Sequence, residues 1–176
     1  MVSGLTPSQT VGPFFHLGLD WPEAWRLVPL EAPGPRLTLT GRVLDGAGEP
    51  VTDALLELWQ ADAAGNYHTR PTGNFRGFGR SAVDADGRYR FETVKPGNAA
   101  PGEAPHLELI VLARGLMLHL HTRVYFPDEV AANAQDPVLA VVPVARRPTL
   151  LARATAEGHV FDIHLQGAQE TVFFDA

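Results

Sequence analysis

The chain has 176 residues, 45% of them hydrophobic, with 20 acids against 14 bases, a net charge of −6 and no cysteine. This length suits one domain with a sizeable core. The acid excess argues against a phosphate-backbone partner, and the absence of thiols excludes a disulfide framework, a thiolate metal site and a cysteine nucleophile.

Residues 1–20 carry no basic leader followed by a continuous apolar core, and no run approaches a membrane span, so a cytoplasmic protein is expected. The N-terminal stretch Thr6-Pro-Ser-Gln-Thr-Val-Gly-Pro-Phe-Phe15 is not helical in character. Pro7 and Pro13 fix φ and remove backbone donors, and the residues before them favour extended backbone. The stretch reads as a semi-rigid arm ending in the apolar pair Phe14 and Phe15. It is either a strap on a β-core or a segment that lines a ligand site or reaches a partner. Residues 17–35 are connecting structure with one helical turn around 23–27, and Pro33-Gly-Pro35 marks the start of the regular domain.

Residues 37–44 alternate as a strand, and Asp45-Gly-Ala-Gly48 is the strongest hairpin signal in the chain. Residues 54–59 form a second strand. A loop containing Gly65, Pro71, Gly73 and Gly77 leads to a third strand at 79–83, and Asp84-Ala-Asp-Gly87 turns the chain. Residues 88–94 alternate cleanly, with Tyr89, Phe91 and Thr93 on one face. After a Pro- and Gly-rich loop at 98–105, residues 106–113 read as a buried strand and 116–126 as the next. A short surface helix is expected at 128–134, a late hairpin at 150–155 and 159–165, and a strand or strap at 170–176. About eight short strands with frequent turns and almost no helix predict an all-β sandwich or barrel. The expected organisation is an arm and connecting segment over 1–35 and one β-sandwich core over 36–176.

Among residues that could carry chemistry, His119 and His121 project from one face of a strand and could chelate a metal. The alternative is a polar strand face, which Arg123 favours. His106 begins a strand after a loop and is either functional or a capping residue. Arg114, at a strand end beside Gly115, can reach a carboxylate with two parallel hydrogen bonds or pair with a local acid. His16, His68, His159 and His164 have no visible co-ligands. No nucleophile elbow, phosphate loop or dinucleotide fingerprint is present.

Several segments together resemble the intradiol ring-cleavage dioxygenase family. They are the N-terminal stretch from Thr6, Leu56-Glu-Leu-Trp-Gln-Ala-Asp-Ala-Ala-Gly-Asn-Tyr67, Asn74-Phe-Arg-Gly-Phe-Gly-Arg80, Tyr89-Arg-Phe-Glu-Thr-Val-Lys-Pro-Gly97 and His119-Leu-His-Thr-Arg-Val-Tyr-Phe126. They occur in order over nearly the whole chain. The resemblance implies a β-sandwich enzyme of aromatic catabolism. It also implies a hetero-oligomer of two homologous chains, in which the beta chain holds a non-haem ferric ion with two tyrosinates and two histidines.

Matched residue by residue, Tyr67 stands at the first tyrosine position. Lys95-Pro-Gly97 is followed by Asn98, with no tyrosine between Tyr89 and Tyr125. The two histidine positions are His106 and Glu108. The resemblance therefore implies a chain with vestigial ligand positions at Tyr67, His106 and Glu108, holding no catalytic iron, with His119 and His121 outside the ligand set. Its N-terminal arm, through Thr10, Gly12, Pro13 and Phe14, and Arg114 would close the partner's pocket around protocatechuate. The partner's iron would bind the catecholate and direct O2 to the ring. An independent iron dioxygenase and a non-enzymatic β-sandwich binding module are the competing readings.

Overall fold

A computed structural model describes residues 7–28, 33–68 and 75–175. Thr6, Pro71, Gly73, Asn74 and Ala176 lie outside the described residues. The strands are β1 (Arg36–Leu44), β2 (Leu55–Trp59), β3 (Phe78–Ala82), β4 (Arg88–Val94), β5 (His106–Leu112), β6 (Leu120–Tyr125), β7 (Arg153–Thr155), β8 (Gly158–Val160) and β9 (Ile163–His164). One sheet runs β4-β1-β8-β7, with β9 also on β1, and the second runs β3-β2-β5-β6. The two inner faces meet in one core. Leu37, Leu39, Val43 and Phe91 come from the first sheet, and Leu56, Leu58, Leu107, Leu109, Val111 and Val124 from the second. The period-two alternation of apolar residues sends these side chains inward. The fold is therefore a β-sandwich, as expected.

The bounds of β4 coincide with the alternation at 88–94, and β3 and β5 lie within one residue of expectation. Several expectations change, and the strand expected at 159–165 divides into β8, paired with β7, and β9, paired with β1. The 45–48 turn forms, with the Asp45 carboxylate accepting from the Ala47 and Glu49 amides. It does not make a hairpin, because β1 pairs with β4 while β2 pairs with β3 and β5. Beyond the single Leu44–Pro50 bridge the chain crosses to the other sheet, because a sandwich core needs both apolar strands on facing layers. The strand expected from residue 116 starts at Leu120, since the Arg114-Gly115 turn and the irregular backbone after it occupy the intervening positions.

Residues 21–28 are tied to both sheets. The Leu27 amide donates to the Glu92 carbonyl, and the Arg80 amide to the Ala24 carbonyl. Ala24, Leu27 and Val28 are buried. Short helices α1 (Phe15–Leu19), α2 (Val130–Gln135) and α3 (Pro137–Val141) complete the chain, with a 3-10 segment at Val144–Leu150. Asp136 caps α3 by accepting from the Val138 and Leu139 amides, and Pro137 sits where the helix needs no donor. The C-terminal segment is a strap, joined to β6 by the Phe174 amide on the His121 carbonyl. No helix among the described residues is long and apolar enough to cross a membrane.

Candidate functional site

The outer face of the second sheet carries two transverse rows set by strand register. Phe78, Trp59, Glu108 and Arg123 form one, and Arg80, Glu57, Ile110 and His121 the next. Polar side chains concentrate here because the opposite face of the same strands fills the core.

Glu108 is the hub of this face. It takes His106 Nε2 at 3.2 Å and Arg123 Nε at 2.9 Å, and His121 Nε2 closes on its other oxygen. Burial alone would raise the Glu108 carboxyl. The hydrogen bonds from His106 and His121 and the Arg123 charge overcome burial and hold it at about 2. Arg123 Nη1 is buried without a hydrogen bond among the described residues, 4.0 Å from Glu103. Phe174 lies over His121 with ring centroids 6.1 Å apart.

Tyr67 approaches the same face from the loop after β2. Asp62 builds that loop by accepting from the Ala64 and Asn66 amides, and its other oxygen meets His68 Nε2 at 2.8 Å. Gly65 is needed at the crest. Its φ is +88°, and a Cβ there would sit 2.1 Å from the Asn98 carbonyl oxygen. The Tyr67 loop and the Asn98 loop therefore pack directly on each other. Burial, and then the Glu108 charge, push the Tyr67 phenol above its ordinary value.

These residues do not fit a ferric site. His106 keeps the posture of a ligating imidazole, with Nδ1 donating to the Ala104 carbonyl at 2.8 Å. Its Nε2 is nonetheless directed at Glu108. The carboxylate is already engaged by three donors, one of them the fixed cation Arg123, and a trivalent ion there would face that charge directly. Tyr67 is driven toward its neutral form rather than toward tyrosinate, and so is Tyr125, which lies across the ladder from His106 with its hydroxyl donating to Asp136.

The second assembly is a corner at the other end of β5. Thr10 Oγ1 accepts from the Gly115 amide at 2.8 Å and donates to the Ala113 carbonyl at 3.5 Å. The arm is thereby pinned to the turn that carries Arg114. Arg114 is more than half exposed, and its Nε pairs with Asp53. Gly12, Pro13 and Phe14 follow as an exposed run, and Phe14 is 73% accessible. Leu17, Met117 and Leu118 add further exposed apolar surface on the segments beside them. A cleft of about 320 Å³ separates arm and turn, lined by Ser8, Gln9, Val11, Leu112, Leu116 and Met117 among others.

The structure thus brings Thr10 and the Arg114 turn together, and separately groups Tyr67 with His106 and Glu108. His119 is exposed ahead of β6, so the His119/His121 pair does not share a strand face. His121 instead joins Glu108. Sequence reasoning missed the bridging roles of Arg123 and His121 and the partner of Arg114. Opposite charges at Glu108 and Arg123 on successive strands were the available signal.

The Dioxygenase_C family, described as a dioxygenase, matches residues 23–167. The chain is 44% identical over 191 residues to the protocatechuate 3,4-dioxygenase alpha chain of Burkholderia cepacia, covering 97% of this chain and 96% of that one. It is 46% identical over 192 residues to the alpha chain of Pseudomonas putida, with the same coverage. The beta chain of Burkholderia cepacia is 40% identical over 159 residues, covering 78% of this chain and 67% of that one. Among solved structures, the dioxygenase domain of a dioxygenase carbohydrate-binding protein fusion from Streptomyces sp. SirexAA-E matches with a TM-score of 0.68 and 34% identity. It covers 93% of this chain and 99% of that one.

Proposed function

Because the chain belongs to the Dioxygenase_C dioxygenase family, we propose that it is the alpha subunit of a protocatechuate 3,4-dioxygenase. In this reading it is a cytoplasmic chain that completes the active site of a homologous, iron-bearing beta chain. The observation that carries the reading is the Thr10 bond to Gly115, which holds the arm against the corner bearing Arg114.

Arg114, Thr10, Gly12, Pro13 and Phe14 are the residues that meet the substrate. Protocatechuate brings a carboxylate, and the Arg114 guanidinium matches it in charge and in fork geometry. The prolines restrict the arm before binding, so less conformational freedom is lost when the pocket closes. Phe14, exposed beside this corner, covers the aromatic ring and excludes water. Residues 1–35 supply the arm and its connection, and 36–176 the sandwich that positions them.

In the overall reaction both atoms of O2 enter the product. The ring bond between the two hydroxyl-bearing carbons breaks, giving 3-carboxy-cis,cis-muconate. The partner's non-haem ferric ion supplies the redox chemistry. Tyr67, His106 and Glu108 are vestigial ligand positions in this chain, and their cluster serves stability.

Co-expression with the beta chain tests the proposal. The expected result is a stoichiometric complex with protocatechuate-dependent O2 uptake. A chain that stays separate from the beta chain contradicts it.

A further inference from the structure

Arg114 is held by one specific acid. In the β2–β5 ladder Leu55 pairs with Leu112. Two residues beyond that pair on each strand, Asp53 faces Arg114. The backbone around Asp53 is anchored from both sheets, by the Val51 amide on the Val43 carbonyl at 2.9 Å and the Val83 amide on the Ala54 carbonyl at 3.1 Å. Ala54 and Leu55 beside it are buried. The Asp53 side chain is only 21% exposed, against 56% for Arg114, so the acid is the fixed partner and the guanidinium the mobile one.

We propose that Asp53 is a positioning residue that aims Arg114 at the substrate carboxylate, through its contact with Arg114 Nε. The inference rests on the site-completing reading above. The Asp53 contact uses Nε alone, and neither Nη of Arg114 bonds another described residue. The outer edge of the guanidinium thus stays open for a carboxylate, while its inner edge is tethered. Thr10 brackets the same residue from the backbone side, through the Gly115 amide and the Ala113 carbonyl. A long, exposed arginine otherwise samples many rotamers, and tethering one edge removes most of that freedom before the substrate arrives.

The test is made on the alpha–beta complex, with KM and kcat measured for protocatechuate and for catechol, which lacks the carboxylate. Asp53→Ala is expected to raise KM for protocatechuate about tenfold, the scale of one hydrogen bond to a charged group. KM for catechol should move less than about twofold, and kcat should hold for both. Asp53→Asn, which keeps an acceptor oxygen, should recover most of the loss. In an Arg114→Ala background Asp53→Ala should add nothing. Should the alanine variant fail to assemble, Asp53→Ser must show the same selectivity.

Equal losses for both substrates, full additivity with Arg114→Ala, or a lower KM in both Asp53 variants would overturn the positioning role. The last result would mean that Asp53 merely neutralises the corner. If Arg114→Ala removes carboxylate selectivity and Asp53→Ala does not, this inference fails alone. If Arg114→Ala leaves selectivity intact, the assignment of Arg114 falls and takes this inference with it.

Discussion

Arg123 Nε lies 2.9 Å from a Glu108 carboxylate oxygen, directly across the β5–β6 ladder, where His106 and His121 also converge. A guanidinium therefore organises the cluster of His106, Glu108 and His121. Both side chains are more than four-fifths buried, so breaking the pair strands a charge. Arg123→Leu should lower stability by about 2–3 kcal/mol, read from the urea midpoint. Glu108→Gln with Arg123→Leu together should cost less than the sum of the two single changes.

The same cluster shapes the acid limb of stability. The Glu108 carboxyl is depressed in the folded chain, from 4.5 to about 2. Its contribution is present above the unfolded value and is lost as pH falls from about 4.5 through about 2. At 1.36 kcal/mol per pKa unit the loss is about 3 kcal/mol. Glu108→Gln should flatten the stability profile in that window, measured by thermal unfolding between pH 2 and 6. An unchanged slope would remove Glu108 from the acid response.

Thr10 ties the arm to the Arg114 turn through one side-chain oxygen. Thr10→Val keeps the shape and removes the oxygen, so it should weaken arm docking by about 1 kcal/mol. Hydrogen exchange at the Gly115 amide should quicken about fivefold, with core amides unchanged. Global acceleration would show that the arm is part of the core instead.

At Gly65 an added Cβ meets the Asn98 carbonyl oxygen at 2.1 Å, in a backbone region that side chains rarely adopt. Gly65→Ala should cost about 3 kcal/mol by forcing the Tyr67 loop from the Asn98 loop. The Tyr67 phenol should then titrate closer to its ordinary value, because burial and the nearby Glu108 charge are what raise it. Ultraviolet titration of tyrosine checks this.

Much of the sandwich is legible in the chain because alternation is a local signal. Tyr89, Phe91 and Thr93 announce their burial without reference to any other strand. Pairing is not local, and the main departure arises there. Asp45-Gly-Ala-Gly48 specifies a turn, but only the demand for two facing layers decides that β2 leaves β1. The site divides in the same way. Arg114 and Thr10 stand out through motif and position, while Asp53 becomes visible only once β2 is set against β5. His121 falls beside Glu108 because Ile110 pairs with it, a register that no spacing within 119–121 contains.

In the proposed assembly this chain shapes a pocket whose iron belongs to its partner. Iron quantified per chain, together with protocatechuate-dependent O2 uptake, tests it most directly, first for the chain purified alone and then for the complex with the beta chain. The prediction is no stoichiometric iron and no uptake alone, then one iron per alpha–beta pair with uptake in the complex. Stoichiometric iron with activity in the lone chain, or two irons per pair, would contradict it.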